Sequence, residues 1–228
     1  MRRTVFHSLV LCLALAAPAV AQDAATTDAA PAPAPAPAPV ETTGPGAVSQ
    51  FMAAQDLFAI GRAQKDPLAV LAAARLAARI VANDVDRASD PVAETLPPSH
   101  PDAATMFTAA KAIAGDDDAM ADLVARSEAE APRLPTRTLL RTTRGIAAQA
   151  SQTYSIAFFA AALAEVALLG DGKANLDLSV SAGDQPICLD TNPADRALCA
   201  FALTENATVT ITVTNRSDIA ASYSLLTN

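Results

Sequence analysis

The spacing of apolar residues along the chain changes from a helical period to a strand period. Between Ser49 and about Glu130, apolar residues recur every three or four positions, as they do around Phe51 and Phe58. This spacing is typical of helices that bury one face. The pattern predicts an α-helical region of about four helices in residues 49–135.

Residues that cap helix ends divide this region. Asp66-Pro67 combines an N-cap with proline at the first helical position, so we expect a helix to begin there and to extend through residues 80–81. Gly115 is typical of a helix C-cap. The acids at 116–118 predict the start of the last helix, because carboxylates stabilise the N-terminal end of the helix macrodipole.

Strict alternation of apolar and polar residues marks the second half of the chain. It runs through Leu176–Val180 and Thr208–Thr214, and a period of two is typical of strands with one buried face. The apolar run Ile156–Leu169 has the composition of a buried helix, but its ends alternate, and we interpret the region as two strands. A final strand is predicted for Ile219–Leu225. Short strands in this number predict a C-terminal antiparallel β-sandwich in residues 136–228 and an α+β fold class.

The first 48 residues show neither period. A positively charged start, an apolar run and small residues before Gln22 form the pattern of a secretory signal peptide, with cleavage expected between Ala21 and Gln22. Residues 22–48 centre on alternating proline and alanine at 31–39, which predicts a disordered, extended linker. The apolar run of the signal is too short to span a bilayer comfortably. We therefore expect a periplasmic or secreted protein with no transmembrane anchor in the mature chain.

The charge balance limits the partners. The chain has 16 basic and 24 acidic residues and a net charge of −8, which becomes −10 once Arg2 and Arg3 are removed with the signal. An acidic protein does not attract nucleic acid. Another envelope protein or a polysaccharide is the partner that we expect.

Two cysteines, Cys188 and Cys199, lie beyond the predicted signal. In an oxidising compartment such a pair predicts a disulfide, which by the chain-entropy model would stabilise the fold by roughly 3 kcal/mol. The alternative is a redox-active pair, but the two cysteines lack the spacing of such sites.

Candidate catalytic groups are few. His100 is the one histidine beyond the signal, and it lies among prolines, so we expect it on the solvated surface. No nucleophile motif surrounds Lys65, Lys111 or Lys173, and no serine has the setting of a nucleophile elbow. We therefore predict no catalytic, cofactor-binding or metal-binding residue and no cofactor.

Three acids near turns, Asp171, Asp177 and Asp184, are candidate ligands for weakly bound calcium. Acids at turns are more often solvated, and we favour that interpretation. The acids at 116–118 lack the glycine and the distal glutamate of a calcium-binding loop.

Four segments resemble the bacterial pre-peptidase C-terminal domain family over about residues 138–228. They are Asn175–Val180, the hairpin at Gly183-Asp184, Ala207–Thr214 and the ending Tyr223–Leu225. The resemblance implies a small β-sandwich module of secreted bacterial proteins, often found beside peptidases, and some members bind calcium.

The chain departs from that family at two places. Asn175 stands where these modules usually carry an aspartate, and residues 205–207 lack the expected glycine and aromatic residue. These departures weaken the implication of calcium binding and leave open whether Asp171, Asp177 or Asp184 binds the ion. Together these observations predict a non-catalytic binding or accessory protein of the bacterial envelope. The alternatives are a peptidase-associated factor or hydrolase that uses His100, and a structural envelope protein.

Overall fold

The computed structural model describes residues 45–228, so the predicted cleavage site at Ala21-Gln22 and nearly all of the predicted linker lie outside the described residues. Four α-helices are present in the described part, which confirms the predicted number. They are α1 (Ala47–Gln64), α2 (Pro67–Ala77), α3 (Ala103–Ala114) and α4 (Asp118–Glu130), and a 3-10 turn, Ala131–Arg133, follows the last of them.

The predicted helix caps are confirmed. The Asp66 carboxylate accepts hydrogen bonds from the N–H groups of Leu68 (2.9 Å) and Ala69 (3.2 Å), and α2 begins at the following proline. Asp117 caps α4 in the same way. Gly115 ends α3 with a φ of +57°, a backbone conformation that favours glycine.

The helices pack around a core of their own, which contains Phe58, Val70 and Phe107. Alanines line much of the contact between α1, α2 and α3 and allow the backbones to approach closely. One close approach is at Gly61, where a Cβ would lie only 2.8 Å from the Cγ2 of Val70.

Nine strands form two sheets. They are β1 (Ile80–Asp84), β2 (Arg137–Ile146), β3 (Ser151–Phe158), β4 (Leu163–Gly170), β5 (Leu176–Ala182), β6 (Gln185–Asp190), β7 (Arg196–Ala202), β8 (Ala207–Asn215) and β9 (Ala221–Thr227). The five-stranded sheet has the order β1-β2-β9-β4-β7, and the four-stranded sheet has the order β3-β8-β5-β6. All pairs are antiparallel except β1 with β2.

The α+β fold class is confirmed, with three local corrections. Helix α2 ends at Ala77, and Ile80 and Val81, predicted as helix, belong to a strand parallel to β2. Both residues are β-branched, which favours a strand over a helix. The edge of β2 offers backbone hydrogen-bond partners to such a strand. The last strand begins at Ala221, so Ile219 lies before it, 46% exposed. Strands β6 and β7 flank a turn-rich segment and were not predicted.

The inner faces of the two sheets form the second core. Each strand sends alternate side chains inward, as the period of two predicts. The fully buried members include Leu168, Leu176, Leu178, Val180, Val209, Ile211, Val213 and Leu225.

Helix α1 covers the outer face of the five-stranded sheet. Val48, Phe51 and Met52 pack against apolar residues of β2, β4 and β9. The buried carboxylate of Glu165 on β4 accepts hydrogen bonds from the N–H groups of Gly46 (3.1 Å) and Val48 (3.0 Å), so a strand side chain caps the helix. The helices and the sandwich therefore share a buried contact. The predicted division at residues 135/136 stays a prediction.

A strap, residues 85–98, crosses from the five-stranded sheet to the four-stranded sheet. The N–H of Leu96 donates to the Thr143 carbonyl of β2 (3.1 Å). Asp90 and Thr153 of β3 exchange two backbone hydrogen bonds of 2.9 and 2.8 Å. This proline-rich segment thus closes one open side of the sandwich.

A candidate binding surface on the four-stranded sheet

The outer face of the four-stranded sheet is lined by short hydroxyl side chains. On β8 the apolar residues Val209, Ile211 and Val213 are fully buried, so the threonines between them point outward. The same alternation turns serines and threonines outward on β3 and β5. We call this set the hydroxyl surface: Ser151, Thr153, Ser155, Ser179, Ser181, Thr208, Thr210, Thr212 and Thr214.

Strand register arranges these side chains in rows across the sheet. Thr212 of β8 stands between Thr153 of β3 and Ser179 of β5, and the apolar Leu189 of β6, 68% exposed, extends that row. The neighbouring row has the same composition: Ser155, Thr210 and Ser181. Hydroxyl groups therefore repeat about every 4.8 Å across the strands and about every 6.7 Å along them.

Most of these hydroxyls remain available to a ligand. Ser151 and Thr214 bond to each other, with their oxygen atoms 2.9 Å apart. Within residues 45–228, the structure gives the side chains of Thr210, Thr212 and Ser179 no hydrogen-bond partner, and all three are partly exposed. The surface therefore offers groups that both donate and accept hydrogen bonds.

Asp177 stands at the end of the row formed by Ser151 and Thr214. Its Oδ2 accepts a 2.6 Å hydrogen bond from the Nε of Arg216, and its Oδ1 is buried without a partner. The expectation of a solvated turn acid was wrong for this residue. It occupies an outward position within β5, and only 9% of its side chain is exposed.

A groove of about 490 Å³ adjoins the hydroxyl surface at the edge of β3. Strap residues 87–90 form one wall, and residues 155–157 of β3 lie opposite. Thr153 lines both the groove and the hydroxyl surface. The hydroxyl surface therefore adjoins a concave rim.

The other two candidate calcium acids have separate roles. Only 14% of the Asp171 side chain is exposed, so the expectation of a solvated turn acid was wrong for this residue as well. Asp171 accepts hydrogen bonds from the N–H and hydroxyl of Ser222, both at 3.1 Å, and from Lys173. Burial raises the pKa of Asp171, but these hydrogen bonds together outweigh it and lower that pKa below its ordinary value. Asp184 lies in the turn between β5 and β6. No group of three or more potential metal-ligating acids, histidines or cysteines occurs in the described residues.

His100 is half-buried, so the expectation of a solvated surface histidine was wrong. Its Nε2 lies 3.0 Å from the Leu169 carbonyl oxygen, because the chain passes the end of β4 at this point. Burial lowers the pKa of His100 below 6.5, and the Leu169 carbonyl opposes that shift in part. Among the described residues the structure shows no hydroxyl or carboxylate hydrogen-bonded to this imidazole.

The three candidate lysines lie on separate elements. Lys65 ends α1 in the left-handed conformation, with a φ of +54°. Lys111 pairs with Glu128, and Lys173 pairs with Asp171 at 3.1 Å. None of the three lysines is paired in the sheet with a residue of the hydroxyl surface.

A buried polar cluster beneath the strap was not predicted. The hydroxyl of Tyr223 lies 2.6 Å from that of Tyr154 and 2.6 Å from the Oε1 of Gln152. Burial raises the pKa of Tyr223 far above its ordinary value. Nearby, Arg144 pairs with Asp86 of the strap. The one signal of this cluster in the sequence is Gln152, a polar residue at an inward position of β3. The cluster holds the strap against the core.

A second concave site, of about 530 Å³, lies between the helices and β1. Phe51 and Phe107 contribute to its apolar floor, together with several alanines. The acids at its rim already have partners, since Asp102 caps α3 and Glu128 pairs with Lys111. This cleft therefore presents apolar surface and few available polar groups.

Cys188 of β6 and Cys199 of β7 are bonded in the structure, with Cα atoms 6.0 Å apart. Each strand is the last of its sheet. The bond therefore links the two sheets on the side opposite the strap. Among the described helices, none combines the length and apolar character needed to cross a membrane.

No family model matches the chain, and no curated protein matches it. Among solved structures, it resembles the pre-peptidase C-terminal domain of a Bacillus anthracis collagenase, with 11% identity over 38% of this chain and 89% of that one and a TM-score of 0.32. It also resembles a periplasmic inhibitor of g-type lysozyme from Aeromonas hydrophila, with 15% identity over 40% and 84% of the two chains and a TM-score of 0.31.

A third similar structure is the C-terminal CBM6 of a marine laminarinase from Zobellia galactanivorans. The identity is 11% over 39% of this chain and 79% of that one, and the TM-score is 0.26. At these values the likeness identifies neither a family nor a ligand for this chain. Because no family model matches, the resemblance predicted for residues 138–228 stays a prediction.

Proposed function

We propose that the chain is an exported, non-catalytic binding protein that uses the hydroxyl surface to bind a neutral polysaccharide. One observation carries the proposal. The sandwich leaves the outer face of its four-stranded sheet open and lines it with serine and threonine in regular rows, while α1 covers the outer face of the other sheet.

The chemistry of these rows matches a ligand that repeats. A single hydrogen bond to a hydroxyl contributes only about 0.5–1.5 kcal/mol, so useful affinity needs several bonds formed in parallel. A polysaccharide supplies hydroxyl groups at repeated intervals, and one chain can reach several rows at once. Serine and threonine also have few rotatable bonds, so ordering them on binding costs little entropy.

The charge distribution favours a neutral ligand. The protein as a whole is acidic, with a net charge of −8, which repels polyanions. Arg216, at the end of the surface, is already paired with Asp177. The rows of Thr210 and Thr212 contain no ionisable side chain.

The proposal is tested with the mature protein and four insoluble polysaccharides: cellulose, cross-linked dextran, chitin and peptidoglycan sacculi. The double variant Thr210→Val, Thr212→Val removes two hydroxyls and keeps the β-branched shape that strands favour. We expect wild-type protein to bind at least one of the three neutral polymers, cellulose, dextran and chitin, and the double variant to bind it at least tenfold more weakly.

Thr138→Val is the matched control, because Thr138 is an exposed threonine of β2, in the other sheet. Its binding should equal that of wild type. Equal binding by the double variant would show that the ligand lies elsewhere. If wild type binds none of the three neutral polymers, the proposed function is overturned.

A further inference from the structure

One end of the hydroxyl surface carries an ion pair with an unused hydrogen-bond acceptor. Asp177 has 9% of its side chain exposed, and its Oδ1 has no hydrogen-bond partner. A buried carboxylate oxygen without a donor is costly, and such oxygens are rare in native proteins. Its Oδ2 accepts from the Nε of Arg216, which leaves the two terminal nitrogens of that guanidinium as donors beside it.

We propose that Asp177 and Arg216 form a subsite for a vicinal diol, that is, two hydroxyl groups on adjacent carbons of one sugar. The inference rests on the proposed function and adds a specificity to it. One hydroxyl of the diol donates to Oδ1 of Asp177, and its neighbour accepts from the Arg216 guanidinium. The acceptor on Asp177 and the donor on Arg216 are neighbours, as are the two hydroxyl groups of the diol.

The register connects this subsite to the hydroxyl surface. Asp177 pairs with Thr214 of β8, and Thr214 pairs with Ser151 of β3. If the ion pair holds one sugar, the rest of the polysaccharide chain can therefore extend onto the row of Thr214 and Ser151. We take Arg216, 58% of whose side chain is exposed, as the group that moves to admit the sugar hydroxyl to Oδ1.

The charges at this position disfavour the binding of both anions and cations. A free carboxylate oxygen repels an anion, and Arg216 already neutralises the carboxylate that a cation would need. In the described residues no further acid, histidine or cysteine joins Asp177 to complete a metal-binding group. A neutral ligand with adjacent donor and acceptor groups fits the pair.

The test compares polymers with and without the diol. Cellulose and dextran carry vicinal diols in their repeating sugars, whereas chitin and the glycan strands of sacculi carry an acetamido group at the second carbon. Dextran that has been oxidised with periodate and reduced with borohydride keeps hydroxyl groups but loses its diols. Wild type should prefer cellulose and dextran, and the treated dextran should bind at least tenfold more weakly.

Asp177→Asn should bind untreated dextran at least fivefold more weakly than wild type and should no longer distinguish treated from untreated polymer. Arg216→Gln, at an exposed side chain, provides a second variant if Asp177→Asn does not fold. Asp122→Asn is the matched control, since Asp122 forms an exposed ion pair with Arg126 on α4.

The outcomes separate the two proposals. Equal binding of all polymers, or a preference for chitin or sacculi, would overturn the diol subsite and leave the proposed function in place. Retained discrimination in both the Asp177 and Arg216 variants would also overturn the subsite. No binding of any polymer would overturn both.

Discussion

At the scale of single residues, the half-buried imidazole of His100 makes stability depend on pH. Burial lowers the pKa of His100 in the folded state, whereas the unfolded chain keeps a value near 6.5. Below that pH the unfolded state binds the proton more readily, so acidification destabilises the folded state. We expect the free energy of unfolding to fall as the pH drops from about 7 to about 5.

His100→Gln should flatten this dependence in urea titrations at several pH values, and an unchanged slope in the variant would contradict the assignment. Asp102 and Asp171 do not titrate within this pH range. The pKa values of Asp102 and Asp171 are lowered from 3.8, so the stability that they contribute is lost only at more acidic pH.

Residue types alone could not predict which acids would be buried. Asp177 and Glu165 each have an apolar or small neighbour on both sides in the sequence, as many exposed strand residues do. Their environments come from distant residues, namely Arg216 for the first and the N-terminal end of α1 for the second. Such partners are joined only by the fold, so Asp177 was predicted as a solvated turn acid.

At the scale of elements, the bond between Cys188 and Cys199 joins β6 to β7. By the chain-entropy model, reduction should lower the free energy of unfolding by roughly 3 kcal/mol, because the unfolded chain gains the freedom of the opened loop. Urea denaturation with and without reductant measures the difference. Mass mapping of the exported protein under non-reducing conditions should recover both cysteines in one linked peptide, and free thiols would refute the pairing.

Elements with strong local signals were predictable, and elements that depend on pairing were not. The capped helices α2 and α4 and the alternating strand β8 follow from their own residues. Strand β1 depends on β2, whose residues begin more than fifty positions later. The alternation in the sequence predicts that the threonines of β8 point outward. The rows that they form with residues of β3 and β5 could not be predicted, because they depend on how the strands pair.

At the scale of the whole molecule, the contact between α1 and the five-stranded sheet couples the two halves of the fold. Glu165 accepts hydrogen bonds from the N-terminal end of α1, and Phe51 and Met52 pack on β2, β4 and β9. Separation would expose this apolar surface and leave the Glu165 carboxylate without its donors. The strap adds a second connection, because it leads from β1 over both sheets to α3.

We therefore expect residues 45–228 to unfold in a single cooperative transition, although the sequence predicts a helical region and a separate sandwich. The chain offers two independent probes. Its two tyrosines, Tyr154 and Tyr223, both lie in the sandwich, so tyrosine fluorescence reports on the sheets, whereas far-UV circular dichroism is dominated by the helices. Coincident urea transitions by both probes are the expected result, since coincidence is the mark of two-state unfolding. A helical signal lost at lower urea than the tyrosine signal would show that the helices and the sandwich are separate folding units.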